Sequence, residues 1–256
     1  MKILSVIPAR YGSSRFPGKP LAKIQGREMI LHVADRVAGC RLLDQVLVAT
    51  DDQRIADVVE KAGHRAVMTH DRHASGTDRI HEAIQQLNLE DQDIVVNVQG
   101  DEPSTEAAWI ESLIRPLIAN TALPMSTLAH EISGEEMESP HAVKVLTNRH
   151  SQAIYFSRFP IPFSRMKIAD FKRPIVYKHM GFYAYRKFFL DSFCQRPVED
   201  IERAEGLEQL RALAMGSAIH VQVIEGRSQG VDTPDDLARM NEAWAAPRVK
   251  IWSSKR

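Results

Sequence analysis

The sequence predicts an α/β fold, a mostly parallel sheet flanked by helices with a small lobe attached. Three observations carry that expectation. Apolar runs of strand length alternate with segments of helical period through the first half. The strongly apolar run 93–98 ends in the polar turn Gln99-Gly100-Asp101-Glu102-Pro103, as at the carboxyl edge of an open α/β sheet, where ligands bind. The second half changes texture, with short strand-like runs and a proline-rich stretch holding Pro160, Pro162 and Pro174.

Taken in order, strands are expected at 3–7, 45–49, 66–68 and 93–98, with helices at 29–37, 53–62 and 75–87. Further strands are expected near 125–129, 142–146, 153–157, 177–185 and 220–223, a helix at 201–215, and a last helix from Thr233. Pro234 fits the first position of that helix. No internal repeat or linker interrupts the pattern, so residues 1–256 are expected to form one domain, with the lobe at about 125–190.

A length of 256 residues, 44% hydrophobic and 26% charged, suits an ordinary globular chain with a sizeable core. Lys plus Arg and Asp plus Glu number 33 each, which removes the basic field of a protein that holds nucleic acid by its phosphates. The apolar run 3–7 is too short for a signal peptide, and nothing approaches the ~20 apolar residues of a membrane span, so a cytoplasmic protein without a membrane partner is expected. Cys40 and Cys194 match no metal-ligand or redox spacing and are expected to be reduced structural thiols.

The segment Ile7-Pro8-Ala9-Arg10-Tyr11-Gly12-Ser13-Ser14-Arg15-Phe16-Pro17-Gly18-Lys19-Pro20 follows the first strand. Amides of a Gly/Ser loop can point at phosphate oxygens, while Arg10, Arg15 and Lys19 neutralise charge that would repel a nucleophile. It is neither GxGxxG nor GxxxxGK[ST], which counts against a dinucleotide oxidoreductase and a P-loop NTPase. A solvated basic loop remains the plainer alternative. Asp101 and Asp232 are the carboxylates that could hold Mg²⁺ with substrate phosphates. Against that stand an Asx turn for Asp101 and a helix cap for Asp232, with Thr233 competing for the cap.

His73-Ala74-Ser75-Gly76-Thr77-Asp78-Arg79 resembles a loop entering a helix, with Ser75 or Thr77 as its cap and free amides suited to an anion or a base edge. Arg79 could pair with a substrate carboxylate, or form a salt bridge with Asp78 or Glu82. In Lys178-His179-Met180-Gly181-Phe182-Tyr183-Ala184-Tyr185-Arg186, His179 and Tyr183 share one face of a strand, where sugar hydroxyls would find partners.

Together these segments resemble the Kdo (3-deoxy-manno-octulosonate) cytidylyltransferase family, through nearly the whole chain. PARYGSSRFPGKPL, HASGTDR, VNVQGDEP, HAVKVL, YFSR, KHMGFYAYR, LEQLR and GVDTPDDL occur in the family's order. The resemblance implies a nucleotidyltransferase (Rossmann-like) fold with a small dimerisation lobe, a homodimer, and transfer of CMP from CTP to a 3-deoxy-octulosonic acid for lipopolysaccharide biosynthesis. It implies that Arg10, Arg15 and Lys19 bind the triphosphate, that Ser75, Gly76 and Thr77 lie near the cytidine, and that Asp101 and Asp232 carry Mg²⁺. It places Arg79, Gln99, His179, Tyr183, Glu208 and Gln209 at the sugar acid, with Glu205 a looser addition. The reaction implied is in-line attack of the anomeric hydroxyl on the α-phosphorus, with pyrophosphate leaving and no covalent enzyme intermediate.

The chain departs from the family pattern at Phe16, Phe163-Ser164, Phe182, Ala184 and the loop 225–229, which leaves the far end of the sugar open. The amino sugar 8-amino-Kdo is the alternative substrate. Another acidic sugar or NTP, and a nucleotide-binding regulator that has lost catalysis, are further alternatives; the retained Asp101, Asp232, Arg10 and Lys19 argue against the last.

Overall fold

The computed structural model describes residues 1–13, 15–163, 165 and 175–245. Ser14 of the basic loop, Ser164 and Pro174 lie outside the described residues. The central sheet runs β11-β7-β10-β6-β1-β4-β5. Its parallel half is β5 (Arg65–Met68), β4 (Gln45–Thr50), β1 (Ile3–Ala9) and β6 (Ile94–Asn97), and β7 (Met125–Glu131) pairs in parallel with β11 (Ile219–Val223). One antiparallel strand, β10 (Val176–Arg186), joins the two sets.

Strands buried on both faces are apolar at nearly every position, and β1 and β6 fit that rule, their buried exceptions Ser5 and Asn97 being hydrogen-bonded. Alternate residues of β1 feed two cores. Ile3 and Ile7 pack with α1 (Met29–Ala38), α2 (Gln53–Lys61) and α4 (Ala107–Ala119); Leu4 and Val6 pack with α3 (Gly76–Gln85) and α6 (Lys187–Cys194). A third, smaller cluster joins Ile24, Met29 and Phe16 to Val231 and Met240, and so ties the basic loop to α9 (Pro234–Ala245).

Among the described residues three α-helices have no counterpart among the sequence expectations: α4, the five-residue α5 (Gly134–Glu138) and α6. Pro116 in the last turn of α4 obscures its helical signal, and α6 follows β10 with no intervening glycine or proline. The helix expected at 201–215 is two, α7 (Asp200–Glu205) and α8 (Gln209–Ala214), because Gly206 takes a left-handed conformation at φ 61° that ends α7. Across that break, Glu202 accepts from Nε and Nη2 of Arg211 at 2.8 and 2.6 Å, both side chains being buried. Removing one partner of such a pair leaves an uncompensated charge, so Glu202→Gln is expected to lower unfolding free energy by about 3 kcal/mol in urea titration.

Within 125–190, the span expected for the lobe, the strands fall in two places. β7 is an interior strand of the main sheet, and only β8 (Lys144–Thr147), β9 (Ala153–Ser157) and the first part of β10 extend outward, antiparallel. Lys144 of HAVKVL is fully buried, its ammonium donating to the carbonyls of Ser139, Ala142 and Arg158 at 2.6–2.9 Å, so it braces the lobe. Cys40 is buried and Cys194 half-buried, both as free thiols. Among the described residues no helix is long and apolar enough to cross a membrane.

Candidate active site

A cleft of about 210 Å³ opens at the carboxyl ends of β1 and β6, lined by Arg10, Arg15, Lys19, Gln99, Asp101 and Asp232 among others. The basic segment folds back on itself there. Amides of Ser13 and Gly18 both donate to the Tyr11 carbonyl at 2.9 Å, and Arg54 lies over the Tyr11 ring at 3.5 Å. Gly18 has φ +71°, and a Cβ there would sit 3.1 Å from the same ring. The approach between the β1 and β6 turns is closer still. A Cβ on Gly100 would stand 2.8 Å from the Pro8 carbonyl, so only glycine lets the two turns meet.

Asp101 and Asp232 converge, although they lie in opposite halves of the chain. Lys19 Nζ lies 2.5 Å from Asp101 Oδ2 and 3.3 Å from Asp232 Oδ1, and Arg15 adds a contact to Asp232 at 3.1 Å. The helix-cap role weighed for Asp232 falls to its neighbour. Thr233, not Asp232, caps α9, accepting from the Asp236 amide at 3.2 Å while Asp236 accepts from the Thr233 amide at 2.9 Å. Val231 N–H donates to the Asp101 carbonyl at 2.9 Å and fixes the two segments side by side.

Glu102 stands behind this pair. Burial pushes its carboxyl up to about 7; the Ser228 hydroxyl opposes the rise, while the charges of Asp101 and Asp232 add to it. Ser104 accepts from the Gln229 amide at 2.8 Å, so the loop 225–229 is latched onto the turn after β6. Of the two carboxylates in QGDEP, Asp101 lines the cleft and Glu102 does not, a difference of side-chain direction that the sequence does not carry.

In the His73–Arg79 segment, Ser75 is the cap of α3, accepting from the Asp78 amide at 3.1 Å. Ser75 and Gly76 line the cleft. Thr77 departs from its expected place. Its side chain is buried and lies against Glu208 and Tyr185 rather than in the cleft lining. Arg79 reaches the cleft wall, but its guanidinium is already bound to Asp51 at 2.8 Å and to Thr69 Oγ1 at 2.6 Å, so its partner is neither Asp78 nor Glu82. Gln99 faces the cleft and donates to Asn97 Oδ1 at 3.0 Å.

Of the residues expected at the sugar acid, Arg79 and Gln99 line this cleft, whereas His179, Tyr183, Glu208 and Gln209 are not among its lining residues. His179 and Tyr183 rings are 5.3 Å apart, and the Tyr183 and Tyr185 rings stack at 5.8 Å. Between His179 and Tyr183, four steps of β10 pass two of β7, in a bulge where Gly181 has φ 76°. Because the excess is even, the two rings keep one face. Burial raises the Glu208 carboxyl, with a Thr77 hydrogen bond opposing, and Gln209 Nε2 is buried without a partner among the described residues. Glu205 is committed elsewhere. It accepts from Ser157 Oγ at 2.6 Å and from the Arg158 amide at 2.9 Å, pinning the YFSR segment to α7.

Burial holds the His179 imidazole neutral, its pKa lowered from 6.5 to about 3. As pH falls below 6.5, the unfolded chain takes up a proton that the folded protein refuses until about 3. That single group therefore removes stability at about 1.4 kcal/mol per pH unit across the window. Urea titrations at pH 7, 6, 5 and 4 should show a shallower loss in His179→Gln; equal slopes would contradict burial of the neutral ring.

Residues 4–219 match the family described as Cytidylyltransferase. A 3-deoxy-manno-octulosonate cytidylyltransferase of Syntrophus aciditrophicus is 50% identical over 243 residues, 94% of this chain and 96% of that one. The chain belongs to the 3-deoxy-manno-octulosonate cytidylyltransferase family. The cytidylyltransferase of that name from Bdellovibrio bacteriovorus is 45% identical over 94% of this chain and 97% of its own. A solved structure of CMP:2-keto-3-deoxy-manno-octonic acid synthetase complexed with CTP superposes at TM-score 0.89 with 41% identity, covering 96% of this chain and 99% of that chain. At 15% identity and TM-score 0.62, the 4-diphosphocytidyl-2C-methyl-D-erythritol synthase of Anaerococcus prevotii shares the fold alone.

Within this cytidylyltransferase the departures from the family pattern fall mainly in packing positions. Phe182 and Ala184 are fully buried in the core beside Trp109, with the Phe182 and Trp109 rings 6.4 Å apart. Phe16 joins the cluster under α9. Phe163 is 92% exposed. None of the three phenylalanines nor Ala184 lines the cleft.

Proposed function

We propose that this protein transfers the cytidylyl group of CTP to 3-deoxy-manno-octulosonate, releasing pyrophosphate, with Mg²⁺ held by Asp101 and Asp232. The observation that carries the reading is the convergence of these two aspartates on Lys19 at 2.5 and 3.3 Å, inside a cleft lined by Arg10 and Arg15. Two hard oxygen donors already facing one cation, with room for phosphate oxygens, suit Mg²⁺. When bound, Mg²⁺ supplies charge neutralisation at the reacting phosphate and the leaving pyrophosphate.

The chain's own residues do the rest. Arg10, Arg15 and Lys19 hold the triphosphate, and Lys19 exchanges its carboxylate partners for phosphate oxygens as the nucleotide enters. Ser75 and Gly76, at the start of α3, bound the base and ribose side. Gln99, His179, Tyr183, Glu208 and the unpartnered Gln209 amide receive the sugar acid, with Arg79 held behind the cleft wall by Asp51. Placing the anomeric hydroxyl in line with the α-phosphorus then converts a bimolecular step into a positioned one.

Ile154, Phe159 and Phe163, 58%, 74% and 92% exposed on β9 and just beyond it, support a homodimer formed through the lobe. Use of CTP fits action in the cytoplasm. The test is pyrophosphate release from CTP and Mg²⁺ with 3-deoxy-manno-octulosonate or 8-amino-Kdo, each product identified by mass. Turnover with the first sugar is expected; turnover with the amino sugar alone, or with neither, would overturn the substrate assignment. UTP in place of CTP should give at most a few per cent of the rate.

A further inference from the structure

Among the polar contacts of β10 that the reaction scheme above leaves unused is the one between His179 and Thr127. Thr127 of β7 lies opposite Tyr183, at the far edge of the β10 bulge. Its hydroxyl is buried and has two neighbours, the Phe182 carbonyl at 2.6 Å and His179 Nε2 at 2.9 Å. A hydroxyl has one proton to give. A carbonyl can only accept, and two oxygens 2.6 Å apart require a proton between them, so the Thr127 proton lies on the line to Phe182. Nothing is then left for Thr127 to donate to the imidazole. Nε2 must be the donor, and the Thr127 oxygen the acceptor.

The remaining ring nitrogen is fixed by elimination. The buried ring is neutral at ordinary pH, burial being the cause. With its one proton on Nε2, the ring carries its lone pair on Nδ1. Nδ1 makes no hydrogen bond among the described residues, while the rings of Phe156 and Tyr183, 5.1 and 5.3 Å away, hold the imidazole plane in place.

We propose that Thr127 is a positioning residue for cytidylyl transfer: it locks His179 in the Nε2–H tautomer, so that Nδ1 accepts a hydrogen bond from a hydroxyl of the sugar acid. The inference rests on the reading of His179 as a sugar-acid residue. The bulge is part of the device. Without the extra residues of β10, the Phe182 carbonyl would pair in the ladder instead of claiming the Thr127 proton. The lock also gives selectivity, because a ring nitrogen that can only accept rewards a hydroxyl and repels a carbonyl or carboxylate oxygen at that point.

Protein labelled with ¹⁵N-histidine tests this directly, with His179 assigned by the signal missing from His179→Gln. At pH 7 the wild-type His179 should show a proton on Nε2 alone. Thr127→Val, which removes the hydroxyl but keeps the shape, should give a mixture of tautomers. It should raise KM for the sugar acid about twofold, the factor set by the fraction of rings left in the accepting tautomer, and leave KM for CTP unchanged. Thr127→Ser should restore both the single tautomer and the KM. A proton found on Nδ1 in the wild type, or a tautomer change in Thr127→Val without any change in sugar KM, would overturn the proposal. Should Thr127→Val fold poorly, the wild-type spectrum and Thr127→Ser still decide it. If His179→Gln itself leaves sugar KM unchanged, what fails is the placing of the sugar acid at His179, whatever the tautomer.

Discussion

Asp101→Asn should lower kcat/KM by about 10³-fold, the scale on which removing one preorganised charge from a transition state acts, while circular dichroism and urea unfolding stay close to wild type. The side chain is about 29% exposed toward the cleft and its carboxylate meets Lys19. What ties the chain together at this point is the backbone: the Asp101 carbonyl accepts from Val231 N–H at 2.9 Å, and asparagine keeps that bond. Neutral asparagine offers one amide oxygen where a metal needs a charged ligand. Raising Mg²⁺ should recover part of the rate. An unchanged rate would remove Asp101 from the metal site, and with it the chief reason for reading the cleft as catalytic.

Lys19→Met should move two quantities in opposite directions. With the nucleotide absent, the ammonium sits between Asp101 and Asp232 at 2.5 and 3.3 Å, so a divalent cation must displace it. Methionine fills similar space without charge. Mn²⁺ binding to the nucleotide-free variant, followed by electron paramagnetic resonance, should therefore tighten by about tenfold, equivalent to ~1.4 kcal/mol of lost competition. In the same variant kcat/KM for CTP should fall by about 10²-fold, because a cation facing the phosphates has gone. A fall in both would mean that Lys19 supports the aspartates rather than competing at them.

These residues differ in how far the sequence revealed them. Alternation of apolar runs with helical periods was enough for the parallel half of the sheet, because strands buried on both faces must be apolar at nearly every position. It was not enough for α4, whose Pro116 breaks the pattern in the last turn, nor for the division of the 201–215 helix at Gly206, where a single glycine in a helical stretch does not announce its φ. The basic loop and the two aspartates were legible by residue type. Their meeting was not, since it depends on the β1 turn packing against Gly100 and on Val231 binding to the Asp101 backbone.

Side-chain direction was the least legible property. Thr77, Arg79 and Glu205 sit in segments that the family resemblance singled out, yet their polar atoms are engaged by Tyr185 and Glu208, by Asp51, and by Ser157 and Arg158. Phe182 and Ala184, two of the departures from the family pattern that left the far end of the sugar open, are core residues beside Trp109. Thr127 was invisible for the opposite reason: a threonine in a strand is ordinary, and only the bulge on the neighbouring strand gives its hydroxyl a task.

The most direct test of the account is ³¹P NMR of the wild-type protein turning over CTP, Mg²⁺ and 3-deoxy-manno-octulosonate. The account predicts that the α-phosphorus signal of CTP passes into a phosphodiester resonance, matched mole for mole by inorganic pyrophosphate. Formation of CDP with a sugar phosphate, of CMP without any intervening diester, or of no product would contradict attack by the sugar's anomeric hydroxyl at the α-phosphorus in this cleft.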